Sequence, residues 1–113
     1  MAIKALTISP ELSPAMRTLV QRVQPAVEHA LGHAAERVEV AWERGGPDEF
    51  GQSTLRLRLN DAGVEGAQEF PPSQLNQDSF FRWQVNQLWD DVLSDRIRRA
   101  REAVLRDLES SEV

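Results

Sequence analysis

The clearest pattern along the chain is strict alternation. Val38, Val40 and Trp42 alternate with Arg37, Glu39 and Glu43, and Leu55, Leu57 and Leu59 alternate with Thr54, Arg56 and Arg58. A period of two puts successive side chains on opposite faces of an extended chain, so half-buried strands are predicted over residues 37–44 and 53–60. The connector "GGPDEFGQ" supplies the Gly, Pro and Asp of a hairpin loop, which makes the pair antiparallel. The apolar sets share a face if Trp42 is set against Leu55, Val40 against Leu57 and Val38 against Leu59. That register also brings Glu39 opposite Arg58 and Glu43 diagonal to Arg56.

Helical spacing takes over on both sides of the hairpin. Met16, Leu19, Val20, Val23, Val27, Ala30 and Leu31 form a core stripe, with Ser13 as N-cap, Pro14 at the first helical position and Gly32 as the stop. A helix over about 14–31 follows. Pro25 lies inside it, but the stripe stays in phase on both sides, so the prediction is a kink and not an end. Ile3, Ala5 and Ile8, with Leu6 opposite, predict a short strand near residues 2–8 that stops at Ser9-Pro10, and "AQEF" before Pro71-Pro72 predicts another near 67–70. "SQLNQ" reads as a single turn, and Asp78 as the N-cap of a long last helix over about 79–108, followed by a frayed acidic tail from about 109. The order is β-α-β-β-β-α. Residues 1–113 thus form one α+β domain, a small antiparallel sheet covered on one face by two helices, with Glu39, Arg56 and Arg58 left in water.

The last helix carries two apolar lines. At about 100° per residue, Phe81, Val85, Leu88, Trp89 and Val92 fall within roughly a third of the circumference and form the core face. Phe80 and Trp83 point nearly the other way, among Gln84, Gln87, Asp90 and Asp91. From Leu93 a second line, continued by Ile97, Ala100 and Val104 with Leu108 near its edge, runs rotated by about 100° from the first. A helix of this length outreaches strands of about seven residues, so its last turns overhang the sheet. Phe80, Trp83, Leu93, Ile97, Ala100 and Val104 are therefore the candidate partner-binding residues, for a second copy in a homodimer or for another protein.

Charge changes this picture little. The net charge of -5 and pI near 5.0 oppose general attraction to nucleic acid or anionic lipid. Arg96, Arg98, Arg99 and Arg101 form a local basic cluster, but Asp95 with Arg99, Arg98 with Glu102 and Glu102 with Arg106 are i,i+4 pairs that suit a solvated helix face. The chain has no cysteine, which removes disulfides and thiol chemistry and fits a cytoplasmic protein. Neither a signal peptide nor a membrane span is predicted.

Candidate chemistry is sparse. His29 and His33 have the spacing of paired metal ligands, but Gly32 stands between them and no carboxylate does. Asp90 and Asp91 are adjacent, so on a helix they diverge by about 100° and cannot work together as acid and base. No catalytic, cofactor-binding or metal-binding residues are assigned, and the expectation is not an enzyme.

The element order, with "LSPAMR" opening the first helix, resembles the ribosome hibernation-promoting factors, a family whose domain is a β-α-β-β-β-α sandwich that resides on ribosomal RNA. That resemblance implies a ribosome- or RNA-associated domain, for which the separately read cluster of Arg96, Arg98, Arg99 and Arg101 would be the basic patch. The family relies on basic helices, whereas here Ser13 to Leu31 holds only Arg17 and Arg22 against Glu28. The first expectation is therefore a non-catalytic protein-interaction module, an adaptor or a self-associating domain. RNA association comes second and a metal-dependent enzyme a distant third.

Overall fold

The structure, a computed structural model, describes residues 5 to 111. Strand β1 (Ala5–Ile8) leads into helix α1 (Pro14–Leu31) and a short 3-10 turn (Gly32–Glu36). The meander β2 (Glu39–Pro47), β3 (Ser53–Asp61), β4 (Val64–Phe70) follows, then a second 3-10 turn (Pro72–Asn76) and helix α2 (Asp78–Ser111). The sheet order is β1-β2-β3-β4. The α+β class and the β-α-β-β-β-α order expected above are those of the structure.

Four details differ from expectation. First, the sheet is mixed: β1 runs parallel to β2, with Ala5 beside Glu39 and Ile8 beside Trp42, because the α1 crossover returns the chain in its original direction. Ile3, expected in this strand, lies outside the described residues. Second, the hairpin is shifted by two residues along the strand, and Trp42 faces Leu57, Val40 faces Leu59 and Glu43 faces Arg56. The parity is as argued, so the same side chains point inward. The offset comes from the loop: β2 continues through Gly45 and Gly46 with an irregularity between Arg44 and Pro47. The turn is then closed by Asp48, whose carboxylate accepts from the amides of Phe50 and Gln52, each at 2.8 Å. Third, β4 starts at Val64, since only Ala62 and Gly63 make the β3–β4 turn, with φ of 56° and 86°. Positive φ at both positions is the geometry of the two-residue hairpin turn. Fourth, α2 reaches Ser111, through the segment where fraying was expected, and Asp78 is its first residue, its carboxylate paired with Arg82 at 3.1 Å.

Helix α1 starts and stops where its end signals lie. Ser13 accepts from the amide of Met16, Pro14 occupies the first turn, and Gly32 closes the helix with an N–H to the Glu28 carbonyl. The helix continues through Pro25. Arg17 ties down the preceding loop by donating to the carbonyls of Leu12 and Pro10.

Both helices lie on one face. The core combines Val20, Val23, Val27 and Leu31 of α1, Val40 and Trp42, Leu55, Leu57 and Leu59, Phe70, and Phe81, Val85, Leu88 and Val92 of α2. At its centre the Trp42 and Phe81 rings stack with centroids 6.4 Å apart, and Phe70 meets Phe81 edge-on at 5.1 Å. The buried indole N–H of Trp42 donates to Gln24 Oε1 at 2.7 Å, which satisfies a group that would otherwise be costly to desolvate. Gly66 sets how closely α2 approaches: a Cβ there would sit 2.6 Å from a methyl of Val92 and 3.1 Å from Leu88. On the opposite, helix-free face, Arg56 bridges Glu43 and Glu69, and Arg58 bridges Glu43 and Glu65.

Candidate interaction surface

Helix α2 runs antiparallel to β4. Phe81 packs on Phe70 at one end of that strand, Leu88 and Val92 lie over Gly66, and Arg96 donates to Asp61 at the other end, 3.0 Å away. With 34 residues α2 is about 51 Å long, whereas the 7 residues of β4 span about 23 Å. The helix therefore continues past the sheet, and the principal extents of 59 × 33 × 27 Å reflect it. Every residue from Ile97 to Ser110 is exposed.

The six residues expected to bind a partner separate into three groups. Leu93 is half-buried and packs on the core, so it closes the domain as well as opening the second stripe. Ile97 and Val104 are 59% and 58% exposed, and Ala100 between them is exposed too. Phe80 and Trp83 stack on each other at 6.3 Å, and Trp83 is 58% exposed, so it does not fold down on the loop before it. Trp83 lies about 21 Å along the helix from Ile97. The aromatic pair and the second stripe are thus distinct patches on one element.

Sequence reasoning missed Leu105, which is 52% exposed and widens the stripe, because it sits about 80° around the helix from Ile97. It also missed Phe50, 81% exposed at the tip of the β2–β3 loop, where no periodicity applies. The most informative omission is Asp61. Its side chain is 1% exposed and receives both Arg96 and Arg37, the latter at 3.3 Å. The signal was present, since Asp61 continues the inward phase of Leu55, Leu57 and Leu59.

The basic cluster is largely engaged. Arg96 is committed to Asp61, Arg98 and Arg99 both pair with Asp95, and Arg101 is exposed. Arg106 donates to the main-chain carbonyl of Glu102 and not, as expected, to its carboxylate. The hydrogen bond from Arg98, helped by the charge of Arg99, holds the Asp95 carboxyl below the usual aspartate range.

His29 lies in the last turn of α1 and His33 in the 3-10 turn, both exposed. Among the described residues no group of three or more His, Asp or Glu side chains is placed to hold a metal ion, and no helix is long and apolar enough to cross a membrane. A shallow depression of about 300 Å³ lies on the helix-free face of the sheet, bordered by Thr7, Ala41, Arg58 and Glu65. Arg58 and Glu65 there are already joined at 3.2 Å. No protein-family model, curated protein or solved structure matches the chain.

Proposed function

We propose that this protein is a non-catalytic protein-interaction module of the cytoplasm, and that its contact surface is the second half of α2. One observation carries this reading: Ile97, Val104 and Leu105, each more than half exposed, stand on a helical segment that projects past the sheet. Ion pairs add only a few tenths of a kcal/mol each to such a helix, and isolated helices shorter than about 12 to 15 residues are marginal in water. Apolar contact supplies what the pairs lack. Fully burying such a side chain is worth about 1.5 to 3 kcal/mol, so covering the exposed half of each contributes about 1 kcal/mol. The partner is a protein surface, either a second copy or another chain, because the stripe is apolar and most of the neighbouring arginines already hold carboxylates.

The combined variant Ile97→Gln, Val104→Gln, Leu105→Gln tests the reading. It should unfold within about 0.5 kcal/mol of the wild type, as exposed substitutions do, and should lose the association the wild type shows, measured by sedimentation and by stoichiometric recovery of a bound protein. A loss above about 2 kcal/mol would make the stripe part of the monomer's own core. Unchanged association would also overturn the proposal.

A further inference from the structure

We infer that the occupant of this surface is a second copy of the same chain, its α2 laid antiparallel about a two-fold axis beside Ala100 and Arg101. The inference rests on the interaction reading above and adds the identity and direction of the partner.

The apolar positions are symmetric about that point. In the antiparallel arrangement Ile97 faces Val104 of the second copy, Leu93 faces its Leu108, and each contact occurs twice. The flank of the stripe is self-complementary as well. At about 100° per residue, Arg96 and Asp107 fall on nearly one line, three turns apart, with Ala100 and Ala103 on the same side between them. One end of this flank is cationic, the other anionic, and the middle is small enough for close approach. Across an antiparallel two-fold, like flanks meet head to tail, so Asp107 of each chain comes within side-chain reach of Arg96 of the other, which is bound to Asp61 but keeps 43% of its side chain exposed. In a parallel pair the like flanks would lie on opposite sides of the seam, so Arg96 of one chain would not meet Asp107 of the other.

Arg101 works against the pairing. It lies about 40° from the centre of the stripe and beside the axis, so the two Arg101 guanidiniums are neighbours in the dimer. The seam is also short, about 22 Å of helix, so the affinity expected is tens to hundreds of micromolar. The same arginine separates a second copy from an acidic partner. Removing its charge should strengthen pairing with another copy and weaken binding to a protein or RNA that carries negative charge.

Sedimentation equilibrium from low micromolar to about 1 mM should show a monomer–dimer equilibrium in that range. Ile97→Asp should shift it at least about 100-fold toward monomer, and Arg101→Gln several-fold toward dimer. Because the chain has no cysteine, single introduced cysteines report direction. Ala100→Cys should oxidise readily to a linked dimer, whereas Leu108→Cys, about 22 Å from its mate, should not. A wild type that stays monomeric at about 1 mM overturns self-pairing. The glutamine variant described above then decides separately whether the stripe serves another protein. Preferential linkage through Leu108→Cys, or weaker association in Arg101→Gln, overturns the antiparallel arrangement even if Ile97→Asp misfolds.

Discussion

Arg96 and Asp61 are joined at 3.0 Å where α2 leaves the sheet, an exposed cation reaching into the protein to hold a buried anion. Arg37 approaches the same carboxylate from the start of the meander. One buried carboxylate thus connects the segment before β2, the end of β3 and the point on α2 after which residues 97–110 are all exposed. A carboxylate withdrawn from water costs several kcal/mol unless it is paired, and here both partners keep their own contact with solvent. The arrangement fixes where the helix departs.

Asp61→Asn should therefore destabilise the domain by about 1.5 to 3 kcal/mol, the usual worth of a hydrogen bond to a charged group. Arg96→Met, which keeps the aliphatic stem and leaves Arg37 in place, should cost less. Urea unfolding of the two variants would rank them, and an Asp61→Asn loss below about 0.5 kcal/mol would show that the carboxylate is not structurally engaged.

Trp42 is fully buried, and Trp42→Ala should cost about 3 to 5 kcal/mol as an aromatic truncation. Its polar contact makes a finer test. Gln24→Leu strands the indole N–H and should cost about 1 to 3 kcal/mol, whereas Trp42→Phe, which removes the stranded group, should cost less in that variant than in the wild type. Additive losses in this cycle would mean that the 2.7 Å bond contributes nothing.

Two backbone positions make opposite predictions. Ala62 holds a positive φ that costs an L-residue about 1 kcal/mol, so Ala62→Gly should raise stability by up to about that amount. Gly66 has no room for a side chain under Val92, and Gly66→Val should cost more than about 2 kcal/mol by forcing α2 away from β4. Thermal unfolding of both proteins would check the pair of signs.

Asp95 should titrate below the ordinary aspartate range, chiefly because Arg98 donates to it. A carboxyl depressed in the folded state gives its pairing free energy above its unfolded pKa and loses it as pH falls through the folded one. NMR titration of the Asp95 carboxyl carbon should therefore give a low midpoint that rises in Arg98→Gln. A midpoint unmoved by that substitution would remove Arg98 as the cause.

With three of its four arginines already paired and a net charge of -5, the Arg96 to Arg101 segment should not hold structured RNA or ribosomes near physiological salt. Fluorescence anisotropy with a structured RNA, repeated with the four arginines changed to Gln, is the check. Salt-sensitive binding that those changes abolish would favour the ribosome-associated reading.

What could be read in advance followed from periodicity. Alternation put Val40, Trp42 and the β3 leucines inside, and helical spacing located α1 with both of its end signals, because burial is decided face by face. Exact pairing was not legible, since it depends on how the Asp48 carboxylate closes a loop and on the irregularity after Arg44. The parallel placement of β1 is not marked in its own four residues but follows from the order of elements, since the helix between β1 and β2 returns the chain in its first direction. The division of α2 was readable as a change of stripe, although its turning point, the Asp61 anchor, required following the β3 alternation one step beyond the last leucine.

The parallel position of β1 also bears on how the chain reaches its fold. Strands β2, β3 and β4 are joined by the loop of residues 48–52 and the Ala62-Gly63 turn, so their ladders close over short stretches of chain. Strand β1 finds its partner only across the whole of α1, and a pairing so distant in sequence forms late, after its closure entropy has been offset by contacts made elsewhere. The meander with α2 on its face is the expected nucleus, and β1, four residues long and exposed over most of its length, docks onto it afterwards. In native-state hydrogen exchange its amides should open below the global unfolding free energy, while those of β3 follow it. The strand that precedes all the other described elements is then the last to be fixed in place and the first to come loose.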